Sequence, residues 1–171
     1  MRDNDIFMSN WFRQNYEQEF VMTQPAAVRK AISRRDFDEV WNDHDLDAIR
    51  DIYASDFQGH GFPGGVTLDR EQYRRLAGLF IRACPDCTIE PLDLWADDEF
   101  VHTQWYFEGT HTEKVGRIPP SNATIRFDGT GRHRHEQGRV VEIWMDVAWS
   151  SIGRSLLRGY VDRVFDFELH R

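Results

Sequence analysis

After Pro85 the apolar residues change their spacing from about four to two, and this switch limits the fold more than any other feature of the chain. Before it, Val28, Ala31, Ile32, Phe37, Val40 and Trp41 recur at helical intervals after Pro25, a residue suited to a first helical turn. They run up to the turn-forming cluster Asn42-Asp43-His44-Asp45. A short second helix is predicted at about Leu46 to Tyr53, and the glycines between Gly59 and Gly65, with Pro63, predict irregular chain next. Thr67 is the predicted N-cap of a third helix, with Asp69 and Glu71 in its first turn and an apolar stripe of Tyr73, Leu76, Leu79, Phe80 and Ala83. Beyond Pro85, alternation marks strands at about Cys87 to Trp95, Phe100 to Thr110, Ala123 to His135 and Arg139 to Trp149, followed by a helix from about Ser150. Helices followed by an antiparallel meander define an α+β class.

The chain divides into an N-terminal helical extension, residues 1–24, and one domain, residues 25–171. The extension carries Phe7, Trp11, Phe12, Tyr16 and Phe20 at a spacing that suits one helix face. The 12 Phe, 6 Trp and 5 Tyr are enough to fill one core and line a cavity. A formal charge of -8, from 29 acidic against 21 Lys and Arg residues, repels phosphate backbones and anionic membranes, so nucleic acid and membrane surfaces are not expected partners. No apolar run has the length of a bilayer span and the N-terminus lacks a signal-peptide pattern, which points to the cytoplasm.

The last two strands carry the most specific information. Glu136-Gln137-Gly138 reads as a three-residue hairpin loop with Gly138 at the left-handed position, pairing His135 with Arg139 and Gly131 with Ile143. One face then carries Ile125, Phe127, His133, His135, Val141, Ile143, Met145 and Val147. The other carries Arg126, Asp128, Arg132, Arg134, Glu142, Trp144 and Asp146, which suits solvent or a two-fold contact in a homodimer. His133 and His135 therefore look inward and are candidates for acid/base or hydrogen-bonding work. Their spacing also suits a metal ion, but no neighbouring carboxylate converges on them, and no metal site is assigned. His60, on the Gly-rich segment, is a third candidate imidazole. Cys84-Pro85-Asp86-Cys87 has redox spacing, but it closes a helix instead of opening one, so these read as buried structural cysteines. Trp105 and Phe107 lie on the apolar face of their strand, as core or as pocket wall. No phosphate loop, serine nucleophile elbow or zinc-protease helix is present.

The run Trp105-Tyr106-Phe107-Glu108-Gly109-Thr110-His111-Thr112, continuing through Gly116-Arg117-Ile118-Pro119-Pro120-Ser121, resembles the SnoaL-like polyketide cyclase family. Val40-Trp41-Asn42, Asp45-Leu46-Asp47-Ala48-Ile49, Asp56-Phe57, Ala83-Cys84-Pro85-Asp86, Arg134, Gly138 and Val141-Glu142-Ile143-Trp144 follow in the family's order, over about residues 26 to 159. The resemblance implies the nuclear transport factor 2-like fold, a cone-shaped curved antiparallel sheet wrapped around about three helices and an apolar cavity. It also implies ring closure of a hydrophobic carbonyl compound by aldol chemistry, with a pocket carboxylate and no cofactor.

In the family the catalytic aspartate follows the position of Trp144, where this chain has Met145, and the family histidine aligns with Gly131. Asp146 serves only if a bulge reverses the strand register. Three readings follow. In the first, a diverged cyclase, isomerase or lyase uses His133 or His60 as base, with Trp105, Phe107, Phe127, His135, Ile143 and Met145 around a small hydrophobic substrate. In the second, the cavity binds such a molecule without chemistry. In the third, the chain is a structural or interaction module, which requires a filled interior.

Overall fold

The computed structural model describes residues 24–169, and side chains as far as residue 160. The expected N-terminal helical extension lies outside the described residues. Helix α1, Ala26–Arg35, begins after Pro25 and runs without interruption into a π-helical stretch, Asp36–Asn42. Then come the short α2, Ile49–Ile52, and strand β1, Tyr53–His60. A 3-10 turn at Pro63–Gly65 leads to α3, Arg70–Ala83. Strands β2, Thr88–Ala96, β3, Phe100–Thr110, β4, Thr124–Glu136, and β5, Arg139–Val147, precede α4, Trp149–Leu169.

The sheet order is β1-β5-β4-β3-β2. Strands β2 to β5 form the antiparallel meander that alternation predicts, but β1 pairs with β5 in parallel, so the sheet is mixed and open. Strand β1 includes Gly59 and His60, where the glycines predict irregular chain. Pairing with β5 and the Gly59–Leu68 bridge satisfy its backbone, and these partners are remote in sequence.

Two local readings are corrected. The β4–β5 connection is a two-residue turn, Glu136 pairing with Arg139, and both Gln137 and Gly138 have positive φ, as a type I′ turn requires. The extra residue sits instead inside β5: His135 faces Val140 and Arg134 faces Glu142, leaving Val141 as a bulge. Val140 is fully buried in its place. Past the bulge, Ile143, Met145 and Val147 lie opposite His133, Gly131 and Gly129, so the expected inward set is restored. At α3 the N-cap is Asp69, not Thr67, because Asp69 and Gln72 close a reciprocal capping box.

Helix α1 departs most from its predicted face. Val28 is 44% exposed, whereas Arg29, Ser33 and Asp36 are 3%, 0% and 4% exposed. Their spacing of four and then three places all three on one side of the helix, turned towards the sheet. The π-helical stretch, in which the Asp43 N–H donates to the Asp38 carbonyl, widens the following turn and brings Phe37, Val40 and Trp41 towards the core beside Asp36. Two apolar clusters fill the interior. One is centred on Ile49, Ile52, Tyr53, Phe57 and Tyr73, and the other on Cys84, Cys87, Trp105, Phe107 and Phe127. Trp41, Met145 and Trp149 pack against both.

Candidate active site

Between the two clusters lies a narrow cavity of about 40 Å³, walled by aromatic rings, with Asp36 and His133 among its lining residues. At roughly 10–15 Å³ per water, this arrangement has room for a few water molecules and no more. Phe62 and Trp149 are among its lining residues and pack together at 6.2 Å, and the Trp149 indole N–H donates to the Gly61 carbonyl at 2.9 Å.

Asp36 is the carboxyl group of this cavity. Tyr73 donates its hydroxyl proton to the Asp36 carboxylate, at 3.2 Å to Oδ2 and 3.4 Å to Oδ1. The Tyr73 oxygen in turn accepts from the Tyr53 hydroxyl at 3.4 Å and from the Trp41 indole N–H at 3.3 Å. One donor and two acceptor positions are thereby used, and every proton in the network points towards Asp36. Burial pushes the Asp36 pKa up to about 7, against the opposing pull of hydrogen bonds from Tyr53, Tyr73 and Trp41. Burial first, and then the Asp36 charge, holds both phenols well above their ordinary range, so they remain neutral donors.

His133 is buried and its ring lines the cavity. Ser33 Oγ lies 3.0 Å from His133 Nδ1 and 3.1 Å from His135 Nε2, tying the two imidazoles to α1. Burial pushes the His133 pKa down to about 3, helped by the neighbouring His135 and His102. Burial followed by the Arg29 charge takes His135 down to about 4. Both rings are neutral at physiological pH, and neither is a strong base.

Of the other residues predicted from sequence, Trp105, Phe107, Phe127, Ile143 and Met145 line the cavity with His133, while His135 stands behind it on Ser33. His60 and Asp146 lie elsewhere. His60 bonds Glu142 at 2.8 Å and stacks on Trp144 at 5.4 Å, on the outer sheet face. Asp146 is exposed on that face, because the bulge at Val141 lies upstream and leaves Met145 pointing inward opposite Gly131. Cys84 and Cys87 are free, buried thiols whose pKa values burial raises to about 12 and about 11. His111 of the Gly-Thr-His run is also buried, its Nδ1 accepting from the Ser121 backbone N–H at 3.2 Å, and it pins the following loop.

Asp36 and Ser33 are not among the residues that the apolar periodicity of this helix picks out. A signal was nevertheless present: Asp36 is four residues from both Ile32 and Val40, in the middle of the apolar stripe. Among the described residues, no cluster of three or more His, Cys, Asp or Glu is placed to hold a metal ion, and no helix is long and apolar enough to cross a membrane.

An α+β fold with a mixed five-stranded sheet and an aromatic interior carrying one raised carboxyl defines a class of small cavity-bearing proteins. Within that class, the sequence pattern of the SnoaL-like polyketide cyclases matches residues 31–148, and the chain belongs to that family. A protein from Jannaschia sp. CCS1 superposes with a TM-score of 0.69 at 16% identity, covering 78% of this chain and 94% of its own. IdmH from Streptomyces antibioticus gives 0.64 at 24% identity, covering 75% and 97%. A SnoaL-like polyketide cyclase from Agrobacterium tumefaciens C58 gives 0.56 at 19% identity, covering 73% and 94%. No curated protein sequence matches the chain.

Proposed function

We propose that this protein removes a proton from carbon next to the carbonyl of a small hydrophobic compound, the step shared by cofactor-independent cyclases and isomerases, with Asp36 as the base. The observation that carries this reading is one buried carboxyl, raised to about 7 and facing an aromatic cavity. A base poised near the working pH combines adequate ionisation with adequate proton affinity. An imidazole depressed to about 3 lacks that affinity, which moves the base from His133 to Asp36. In the step, the C–H bond breaks, its proton passes to an Asp36 oxygen, and the electron pair moves onto the carbonyl oxygen as an enolate. Protonation of the enolate at another carbon gives isomerisation, and its attack on a second carbonyl closes a ring. Because the cavity is narrow, substrate entry requires some of its lining side chains to move aside.

The elementary step can be measured on a surrogate. With 2-tetralone in D2O at pD 8, proton NMR is expected to show protein-catalysed exchange of the hydrogens next to the carbonyl, and Asp36→Asn is expected to slow it about 10²-fold or more. Wild-type exchange rates in Asp36→Asn would overturn the assignment. Tight binding of the ketone with no exchange would favour a non-catalytic binding protein.

The proposed partner on the outer sheet face is a second copy of this chain. One side chain from each strand, His60, Trp144, Arg132, His102 and Trp95, forms a row in register across the sheet. Trp95 stacks on His102 at 3.8 Å, and the Arg132 guanidinium lies 4.7 Å from the Trp144 ring. Exposed aromatic and arginine groups of this kind are typical interface anchors. Light scattering is expected to give twice the chain mass, and Trp144→Glu to give the monomer.

A further inference from the structure

A hydroxyl group between two neutral imidazoles has only one proton to give. Ser33 Oγ stands 3.0 Å from His133 Nδ1 and 3.1 Å from His135 Nε2, so it donates to one ring and accepts from the other. The two tautomers are therefore linked. If Ser33 donates to His133, His133 carries its proton at Nε2 and His135 also carries its proton at Nε2, leaving His135 Nδ1 bare. If Ser33 donates to His135, both rings carry the proton at Nδ1, which leaves His133 Nε2 bare and makes His135 Nδ1 an N–H.

Arg29 decides between these two states. Its guanidinium is buried one helical turn before Ser33 on the same face of α1, with Nε donating to the Gln24 carbonyl and Nη2 to the Asp97 carbonyl. Among the described residues it has no carboxylate in an ion pair, and its Nη1 and the Nδ1 of His135 are both buried without a partner. A buried cation that still carries an unused N–H disfavours a further unpaired N–H on the neighbouring ring and favours a lone pair there. His135 therefore keeps Nδ1 bare and donates from Nε2 to Ser33, and Ser33 donates to His133. Among the residues lining the cavity, the donors of Trp41, Tyr53, Tyr73 and Trp149 are already engaged, whereas His133 Nε2 and the Trp105 indole N–H have no hydrogen bond within the described residues.

We infer that Arg29, acting through His135 and Ser33, fixes His133 as a hydrogen-bond donor at Nε2, so that the cavity selects a ligand presenting an acceptor oxygen there. The matching ligand class is a ketone whose oxygen becomes an enolate, which ties the inference to the proton-abstraction reading for its ligand but not for its tautomers. Ser33 and Arg29 are positioning residues, and His133 Nε2 is the group that meets the oxygen. An N–H aimed at that oxygen gains strength as negative charge develops on it.

Long-range proton–nitrogen NMR of the histidine-labelled free protein reads the tautomers directly. The expected result is a protonated Nε2 on both His133 and His135 in the wild type, with a shift towards protonated Nδ1 on both rings in Arg29→Met. In Ser33→Ala the two rings are expected to lose their common tautomer, and exchange of 2-tetralone to fall at least about tenfold in kcat with little change in KM, recovering in Ser33→Thr. A wild-type spectrum with His133 protonated at Nδ1 overturns the inference, whatever the variants do, and so does an unchanged His133 tautomer in Arg29→Met. The two proposals fail separately. Ketone exchange that depends on Asp36, together with the wrong tautomer, would leave the base in place, while the expected tautomer with no exchange would leave the donor in place and remove the base.

Discussion

Asp36 is held in a state that costs stability. An aspartate in the unfolded chain titrates near 3.8, and in the fold near 7, so the folded state binds the proton more tightly. Its contribution is favourable below pH 3.8 and is lost as pH rises through 7. Asp36→Asn, which keeps the shape and removes the charge, is therefore expected to stabilise the protein at pH 8 by on the order of 1–4 kcal/mol in urea denaturation while destroying ketone exchange. A loss of stability at pH 8 would mean that the hydrogen bonds outweigh desolvation. The thiols give a second prediction at this scale. Cys84 and Cys87, raised to about 12 and about 11 by burial, are expected to react with a thiol reagent at pH 8 at the rate of unfolding and not at the rate of a free thiol. Their buried, structural character was legible from their place at a helix end. The partners of Asp36, Ser33 and Arg29 were not, because each comes from a distant element: Tyr73 from α3, His133 and His135 from β4, and the Asp97 carbonyl from the β2–β3 turn.

Among the elements, the β4–β5 hairpin shows what alternation can and cannot reveal. The inward set around His133 and Met145 was readable because side chains alternate along a strand, but the pairing was not, since moving one residue from the turn into a bulge preserves almost the same pattern. Only Val141 changed role, yielding its inward place to Val140. Gly138→Ala, at a φ of 81°, is expected to cost about 1 kcal/mol with the hairpin retained. Gly129 is the more severe site. An added methyl carbon would stand 2.4 Å from the Trp105 ring, so Gly129→Ala is expected to cost about 1–3 kcal/mol in denaturant unfolding and to displace the cavity wall. A Trp105→Phe background should relieve part of that cost, and a double-mutant cycle would measure the relief. The parallel strand β1 escaped the sequence reading because its glycines mimic a loop, and nothing local announces a partner more than eighty residues away.

At the scale of the whole molecule, buried imidazoles and the buried carboxyl give opposing pH dependences. His133 and His135 fall from 6.5 to about 3 and about 4, so the folded state resists protonation and stability drops as pH falls below 6.5. Asp36 acts in the opposite sense between 3.8 and 7. The two trends offset in the wild type, and Asp36→Asn is expected to expose the imidazole trend, a thermal midpoint that declines steadily from pH 6.5 towards pH 4. A flat profile in that variant would show that the imidazoles are protonated within the fold. The α+β class, the meander and the apolar wall followed from periodicity and family resemblance, whereas the polar side of the cavity required knowing how α1 is rotated on the sheet.

That rotation has a practical corollary. Arg29, Ser33 and Asp36 share a single rigid rod, and the wall they address comes from other parts of the chain. The chemistry of the interior can thus be rewritten by exchanging three letters of one segment, with the pleated scaffold left as it is. Conversely, inserting one residue between positions 29 and 36 would swing part of this cassette by about 100° and disarm it in a single step.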